Sequence, residues 1–249
     1  MIVSTKIDRN PKEKVPWKKT NKSCVKKSQI LISKKNINQI SVWLKKFKKL
    51  IEVAKKRWLN ESDTSNIIND FLWEVLWYDK YFDVTTEYKI KWQYCDYWIM
   101  MNWKLTLLME VKQIWLDLNE NHIFQAISYA WNEWVKWVIL TNLRRWELFY
   151  LSFWDKIEKE LILDFDILSE SSSNKLIENL QYIHKESLQK NYLWKLLKQK
   201  MALSERNIKK VLFWDPVVKK IQSEIKNTTW LKISKEDVLN ILKDYVENK

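Results

Sequence analysis

YCDYWIMMNWKLTLLMEVK, residues 94–112, decides how this chain folds. Two apolar runs with β character flank Asn102-Trp103-Lys104, and a gap this short permits only an antiparallel hairpin. The run before it, Val84 to Lys91, is of the same kind, so the three form an antiparallel meander. Charges inside the hairpin need a reason. Glu110 and Lys112 are two residues apart and share one face of their strand. Asp96 falls opposite Glu110 if paired positions sum to 206, which implies a three-residue loop at Asn102, Trp103 and Lys104. A two-residue turn puts the two acids on opposite faces unless a bulge restores the phase.

Outward from the meander the periodicity becomes helical. Ile40, Trp43, Leu44, Phe47, Ile51 and Ala54 predict an amphipathic helix over 37–58 with lysines on its other face. A second helix is expected over 64–76, capped by Ser62, Asp63 or Thr64 and stopping near Trp77. After the meander come a helix over 119–130 and strands over 135–141 and 146–151. Ser169 to Ser173 interrupts the pattern, and the remainder reads as lysine-rich helices. The expected organisation is a basic disordered tail over 1–37, an α/β domain with a mixed sheet over 38–168, and a small helical C-terminal domain over 174–249.

Composition excludes several classes. The chain has 249 residues, 46% hydrophobic and 30% charged, enough to bury a core. No apolar run is long enough to span a membrane and the start builds no signal core, which predicts a cytoplasmic protein. Two cysteines cannot by themselves form a disulfide framework or a four-ligand zinc site, and the only histidines are His122 and His184. The net charge of +13 is local: residues 1–50 hold 15 Lys+Arg and 2 Asp+Glu, leaving 29 of each sign beyond them. A basic tail on a neutral body is a plausible nonspecific tether for DNA, or simply a solvated arm.

The chain contains no glycine and 17 tryptophans. Ordinary usage gives about 17 glycines in a chain this long. Trp77 after a helix, Trp103 in a hairpin turn and Trp131 after another helix stand where the backbone wants positive φ. The composition therefore predicts that many of these tryptophans are glycine in the cell, where UGA is read as glycine. The Lys, Ile and Asn richness fits an AT-rich gene.

Two carboxylates on adjacent strands can hold a hard cation such as Mg²⁺, and a neighbouring lysine can hold a water or stabilise a developing oxyanion. From the residues alone, the group reads equally as a structural ion pair on a sheet edge. Further motifs accompany it: Asn60-Glu61-Ser62-Asp63-Thr64, Thr86-Glu87-Tyr88-Lys89-Ile90, Tyr94-Cys95-Asp96, Met109-Glu110-Val111-Lys112, Leu140-Thr141-Asn142, and the Gln-x-x-x-Tyr of Gln125 and Tyr129.

With tryptophan read as glycine, these resemble the N-terminal nuclease domain of type I restriction enzyme R subunits, a branch of the PD-(D/E)XK nuclease superfamily. The resemblance covers roughly residues 38–168. It implies a restriction-endonuclease-like core and Mg²⁺-dependent hydrolysis of DNA. It makes Asp96 and Glu110 the metal ligands, with the carbonyl of Val111 as a further ligand, and Lys112 the catalytic lysine. Glu61, Gln125 and Tyr129 take supporting places, with a helix-start carboxylate on the macrodipole as the alternative for Glu61 and ordinary helix packing for the other two, and restriction-modification subunits become candidate partners. The glycine usual in this family after Thr-Asn is Leu143 here, whereas Trp137 and Trp146 match positions commonly tryptophan. No ATP-binding Walker A motif occurs even with every Trp allowed as Gly, so the chain is no translocase. The rival expectation is a noncatalytic nucleic-acid-binding or partner-recruiting module that retains the fold.

Overall fold

The computed structural model describes residues 31–90, 93–154, 156–169 and 172–247. Helices α1 (Lys34–Lys56) and α2 (Glu61–Glu74) precede strands β1 (Val84–Ile90), β2 (Gln93–Met101) and β3 (Lys104–Val111). Helix α3 (Glu120–Asn132) leads into β4 (Trp137–Thr141), β5 (Arg145–Phe153) and β6 (Ile157–Asp166). Helices α4 (Ser173–Ile183), α5 (Lys185–Gln189), α6 (Tyr192–Ala202), α7 (Glu205–Leu212), α8 (Asp215–Thr229) and α9 (Lys235–Glu247) complete the described residues.

The six strands form one mixed sheet in chain order, antiparallel throughout except for β3 and β4. That parallel pair requires a crossover, and α3 supplies it. One face of the sheet packs Tyr97, Ile99, Met109 and Ile139 against Phe47, Ile51, Ile68 and Phe71 of α1 and α2. The opposite face packs Cys95, Leu108, Val138 and Leu140 against Ile123, Ala126 and Ala130 of α3. Helices α4 and α6 bring Leu176, Leu180, Leu193 and Leu197 into the first of these cores. Beyond them, α8 buries Val218 and α9 buries Val238. No helix among the described residues is long and apolar enough to cross a membrane.

The expected tail, 1–37, lies outside the described residues up to Ile30. Past that point Leu31 and Ile32 are buried, the Leu31 N–H donates to Gln181 Oε1 at 3.0 Å, and α1 begins at Lys34. Ser33 caps that helix. The cap of α2 is Asn60, whose Oδ1 accepts the Asp63 N–H at 2.8 Å, and not Ser62, Asp63 or Thr64 as the sequence suggested. Strand β6 was not expected. Its charges, from Glu158 to Asp166, hide the apolar pattern, and a bulge opposite Leu148 and Phe149 breaks the period by skipping Ile162.

Among the described residues eight other than glycine have positive φ: Trp58, Trp77, Asn102, Trp103, Trp134, Leu143, Asn191 and Trp230. Five are tryptophan, although with 17 tryptophans in 249 residues chance would place fewer than one among eight. Trp58, Trp77, Trp134 and Trp230 each follow a helix, the position glycine usually takes. Trp77 and Trp103 behave as the sequence predicts. Trp131 does not: α3 continues through it to Asn132, and the left-handed residue is Trp134. Leu143 follows Thr141-Asn142 at φ 69°, in the conformation that favours glycine.

His184 is buried at the α4–α5 junction, where Nδ1 accepts the Glu186 N–H at 3.1 Å. Burial holds its pKa down at about 4, against 6.5 for an exposed imidazole, with Glu186 opposing weakly. Between those values the unfolded chain binds a proton that the folded protein refuses. Stability is therefore full above 6.5 and falls by up to about 3 kcal/mol as pH drops through about 4. Urea denaturation across that window should show the loss. A His184→Asn variant, which keeps an acceptor for the Glu186 N–H, should show a flatter profile.

Candidate active site

The hairpin that carries Asp96 and Glu110 solves its phase problem with two compensating features. Tyr97 pairs with Met109, Trp98 with Leu108 and Ile99 with Leu107, the expected sum of 206. The register then shifts between Ile99 and Met100, and Met101 pairs with Lys104. The connection is thus a two-residue turn, Asn102-Trp103, not the three-residue loop expected. Both turn residues have positive φ, the requirement of a type I′ hairpin, for which Asn-Gly is the favoured sequence. The bulge restores the phase that the turn removes, and the paired register ends at Tyr97 and Met109, the chain neighbours of Asp96 and Glu110.

Asp96 Oδ2 accepts the Val111 N–H at 2.7 Å, which fixes its carboxylate against the end of β3. Glu110 is 1% exposed. Its Oε1 accepts the Lys112 ammonium at 2.6 Å, while Oε2 is buried without a hydrogen-bond partner among the described residues. Burial pushes the Glu110 carboxyl up to about 7; Asp96 adds to the rise, and Lys112 opposes it. Burial alone would lower the Lys112 pKa, but Glu110, Glu61 and Asp96 outweigh it and hold the ammonium above its ordinary value. The three carboxylates thus favour the ammonium form of Lys112.

Three elements hold this lysine from outside its strand. Its backbone N–H donates to the Thr141 carbonyl of β4 at 2.8 Å. Its ammonium lies 3.4 Å from Gln125 Oε1, and Gln125 Nε2 donates to the Tyr129 hydroxyl at 3.0 Å. Gln125 and Tyr129 are i and i+4 on α3, so one helical face presents both. Glu61, the first residue of α2, brings Oε2 to 3.9 Å from the ammonium. His122 belongs to the cap of α3, where Nδ1 accepts the Asn119 N–H at 3.3 Å, and is not a ligand. Cys95 is buried in the α3-side core, and burial holds its thiol far above the usual range.

The structure thus brings together Asp96, Glu110, Val111, Lys112, Glu61, Gln125 and Tyr129. The sequence assigned no role to Thr141 and Asn142, although both stand in a quoted motif. Thr141 anchors Lys112, and Asn142 Nδ2 donates to Leu116 O at 2.7 Å, tying the β4–β5 turn to the loop behind the lysine. Short polar residues at the end of a buried strand were the available signal.

Among the described residues no three His, Cys, Asp or Glu side chains converge as a metal cluster. A cation here would have to be held by two carboxylates, a backbone carbonyl and water. The residues fit that role for a hard divalent ion. Asp96 and Glu110 offer oxygen only, Glu110 Oε2 is buried and unsatisfied, and three acids against one lysine leave uncompensated negative charge. Comparison of the chain with protein-family models, with curated proteins and with solved structures gives no match.

Proposed function

We propose that the protein is a Mg²⁺-dependent DNA endonuclease built on a PD-(D/E)XK-type core, similar in its motifs to the nuclease domain of type I restriction enzymes. The observation that carries this reading is the buried Glu110 carboxylate, held by Lys112 through one oxygen and left without a partner at the other. A purely structural ion pair has no use for that orphaned oxygen, whose burial costs about 1–3 kcal/mol.

Asp96, Glu110 and the carbonyl of Val111 would hold Mg²⁺. When bound, the ion supplies an activated water and neutralises charge on the scissile phosphate. Lys112, kept protonated by its carboxylate neighbours, donates to the nucleophilic water or to a phosphate oxygen as negative charge grows there. Gln125 fixes the direction of the ammonium, and Tyr129 fixes Gln125. Glu61 adds negative potential at the mouth of the site from the start of α2, a position that the helix dipole favours.

Positioning of this kind has a measurable size. Gln125→Ala is expected to lower the single-turnover cleavage rate by about 10-fold to 100-fold. Tyr129→Phe, which removes only the relay beyond Gln125, should cost less. Equal rates in all three proteins would remove Gln125 from the account.

The test of the function is a labelled DNA duplex incubated with the full chain in Mg²⁺ and in EDTA. Shortened strands in Mg²⁺ alone support the reading. Intact strands in both, with the duplex still bound, favour a noncatalytic binding module.

A further inference from the structure

We infer that the exposed lysine face of α1 is a docking surface for the sugar-phosphate backbone of duplex DNA, leading into the site formed by Asp96, Glu110 and Lys112. The inference rests on the nuclease reading of that site and names the path by which substrate reaches it.

Helix α1 has two unlike faces. Ile40, Leu44, Phe47, Ile51 and Ala54 are buried in the sheet's core, and the apolar side chains that α1 leaves exposed, Val42, Leu50 and Val53, are short aliphatic ones with no aromatic anchor among them. Opposite them Lys45, Lys49 and Lys56 align along one ridge, with Lys48 and Lys55 beside it. Glu52 is the only acid in the helix. Lys46 pairs with Glu74 at 3.6 Å, but Lys45, Lys48, Lys49, Lys55, Lys56 and Arg57 have no ion pair with a carboxylate of the described residues.

Four lysines of the C-terminal helices, Lys190, Lys209, Lys219 and Lys220, each pair with an acid one helical turn away, whereas Lys195, Lys198 and Lys200 of α6 have no acid in their helix to pair with. Like charges at that spacing destabilise a helix by a few tenths of a kcal/mol per pair. Lys55 and Lys56 complement the dipole of the last turn and Glu52 lies one turn from Lys48 and Lys56, yet α1 still carries a large excess of lysine, whereas beyond residue 50 the chain carries equal numbers of both signs. This face is thus a local positive surface on a neutral body, complementary to a polyanion.

Its position relative to the site gives the direction. From Lys45 to Lys56 the ridge is about 16 Å long, or roughly five base pairs of duplex. Arg57 ends the helix, and Glu61, four residues on, lies 3.9 Å from the Lys112 ammonium. Lys55, Lys56 and Trp115 line one concavity, and Trp115 is three residues past Lys112. The ridge therefore ends beside the loop that leaves the site. The lysines project from the helix itself, so glycine at position 58 would leave their spacing unchanged.

The test measures binding of the full chain to a fluorescent DNA duplex in EDTA over a range of KCl concentrations. The proteins are wild type, Lys45→Ala/Lys49→Ala/Lys56→Ala, and a control with Lys209→Ala/Lys219→Ala/Lys220→Ala. Thermal melts show that each is folded. Each phosphate contact contributes about 0.9 to the slope of log K against log salt, so the α1 variant should lose about 2 to 3 from that slope. Its affinity at low salt should fall more than 10-fold, with the control unchanged. The inference is overturned if wild type does not bind the duplex, if the α1 variant keeps its slope and affinity, or if the control loses as much. Binding that depends on the α1 lysines without any cleavage in Mg²⁺ would support the surface and refute the nuclease reading separately.

Discussion

Replacing Lys112 by alanine is expected to lower Mg²⁺-dependent cleavage by about 10³-fold, roughly 4 kcal/mol of transition-state stabilisation, while DNA binding in EDTA changes little. The size follows from the environment of the ammonium. It is largely buried, its charge is maintained by three carboxylates, and it lies beside the buried carboxylate expected to hold the metal. A donor in such a place opposes charge that appears only in the transition state. Binding should survive because a single sheltered ammonium offers little to a long polyanion. Lys112→Arg is a useful second variant. It keeps the charge but, as a planar fork, cannot reproduce the contact that one ammonium makes with both Glu110 and Gln125. Its rate should fall well below wild type, and single-turnover cleavage measures both. If Lys112→Ala cleaved at the wild-type rate, the lysine would be a structural counterion and the proposed chemistry would lose its donor.

Replacing the five left-handed tryptophans by glycine is expected to raise stability substantially. A side chain in the left-handed region costs about 1–2 kcal/mol that glycine does not incur. Glycine's greater freedom in the unfolded chain offsets part of this, leaving about 1 kcal/mol per site. Trp58, Trp103, Trp134 and Trp230 are mainly exposed and Trp77 is partly so, so little packing is lost. The five sites are well separated in the chain, and near-additive effects would amount to about 5 kcal/mol. For a chain of this length that corresponds to about 10–20 °C in Tm.

Trp146 supplies the opposite control. It is buried at negative φ, stacks on Phe165, contacts Phe71, and donates its indole N–H to the Leu143 carbonyl at 2.8 Å. Trp146→Gly should therefore cost about 4 kcal/mol or more. Calorimetry of the five-site variant and of Trp146→Gly checks both signs. The gene gives an independent reading: TGA codons at the five positions support glycine in the cell, and TGG at Trp77 and Trp103 contradicts it.

How far the sequence disclosed this structure depends on the range of the interactions concerned. The register between β2 and β3 was legible because two charges in apolar runs allow few pairings. The turn was not, because a two-residue turn with a bulge gives the same register as a three-residue loop. Helix α3 outran its expected end because propensity does not separate Ala130 from Asn132, and the break is set by Val135, whose N–H returns to Ala130 O at 2.9 Å. Strand β6 was hidden by its charges and by the skipped Ile162.

At the site, strand period two put Glu110 and Lys112 on one face and helical spacing did the same for Gln125 and Tyr129, but it was the likeness to the nuclease motifs that singled out Asp96, Gln125 and Tyr129 as a group with them. The anchoring of Lys112 by Thr141 was not legible, since it joins two strands through a backbone carbonyl that no side-chain pattern marks. Likewise the meeting of Glu61 with Lys112 joins residues 51 positions apart, and only the packing of α2 against β3 creates it.

The central claim is that the cluster of Asp96, Glu110 and Lys112 cleaves DNA with a divalent cation. The most direct measurement is conversion of supercoiled plasmid by the full chain at saturating Mg²⁺, alongside its Glu110→Gln variant and an EDTA control. The account predicts nicked or linear plasmid with wild type in Mg²⁺ and none in the other two reactions. Intact plasmid in every reaction, from protein shown to be folded, would contradict it, as would cleavage that survives Glu110→Gln.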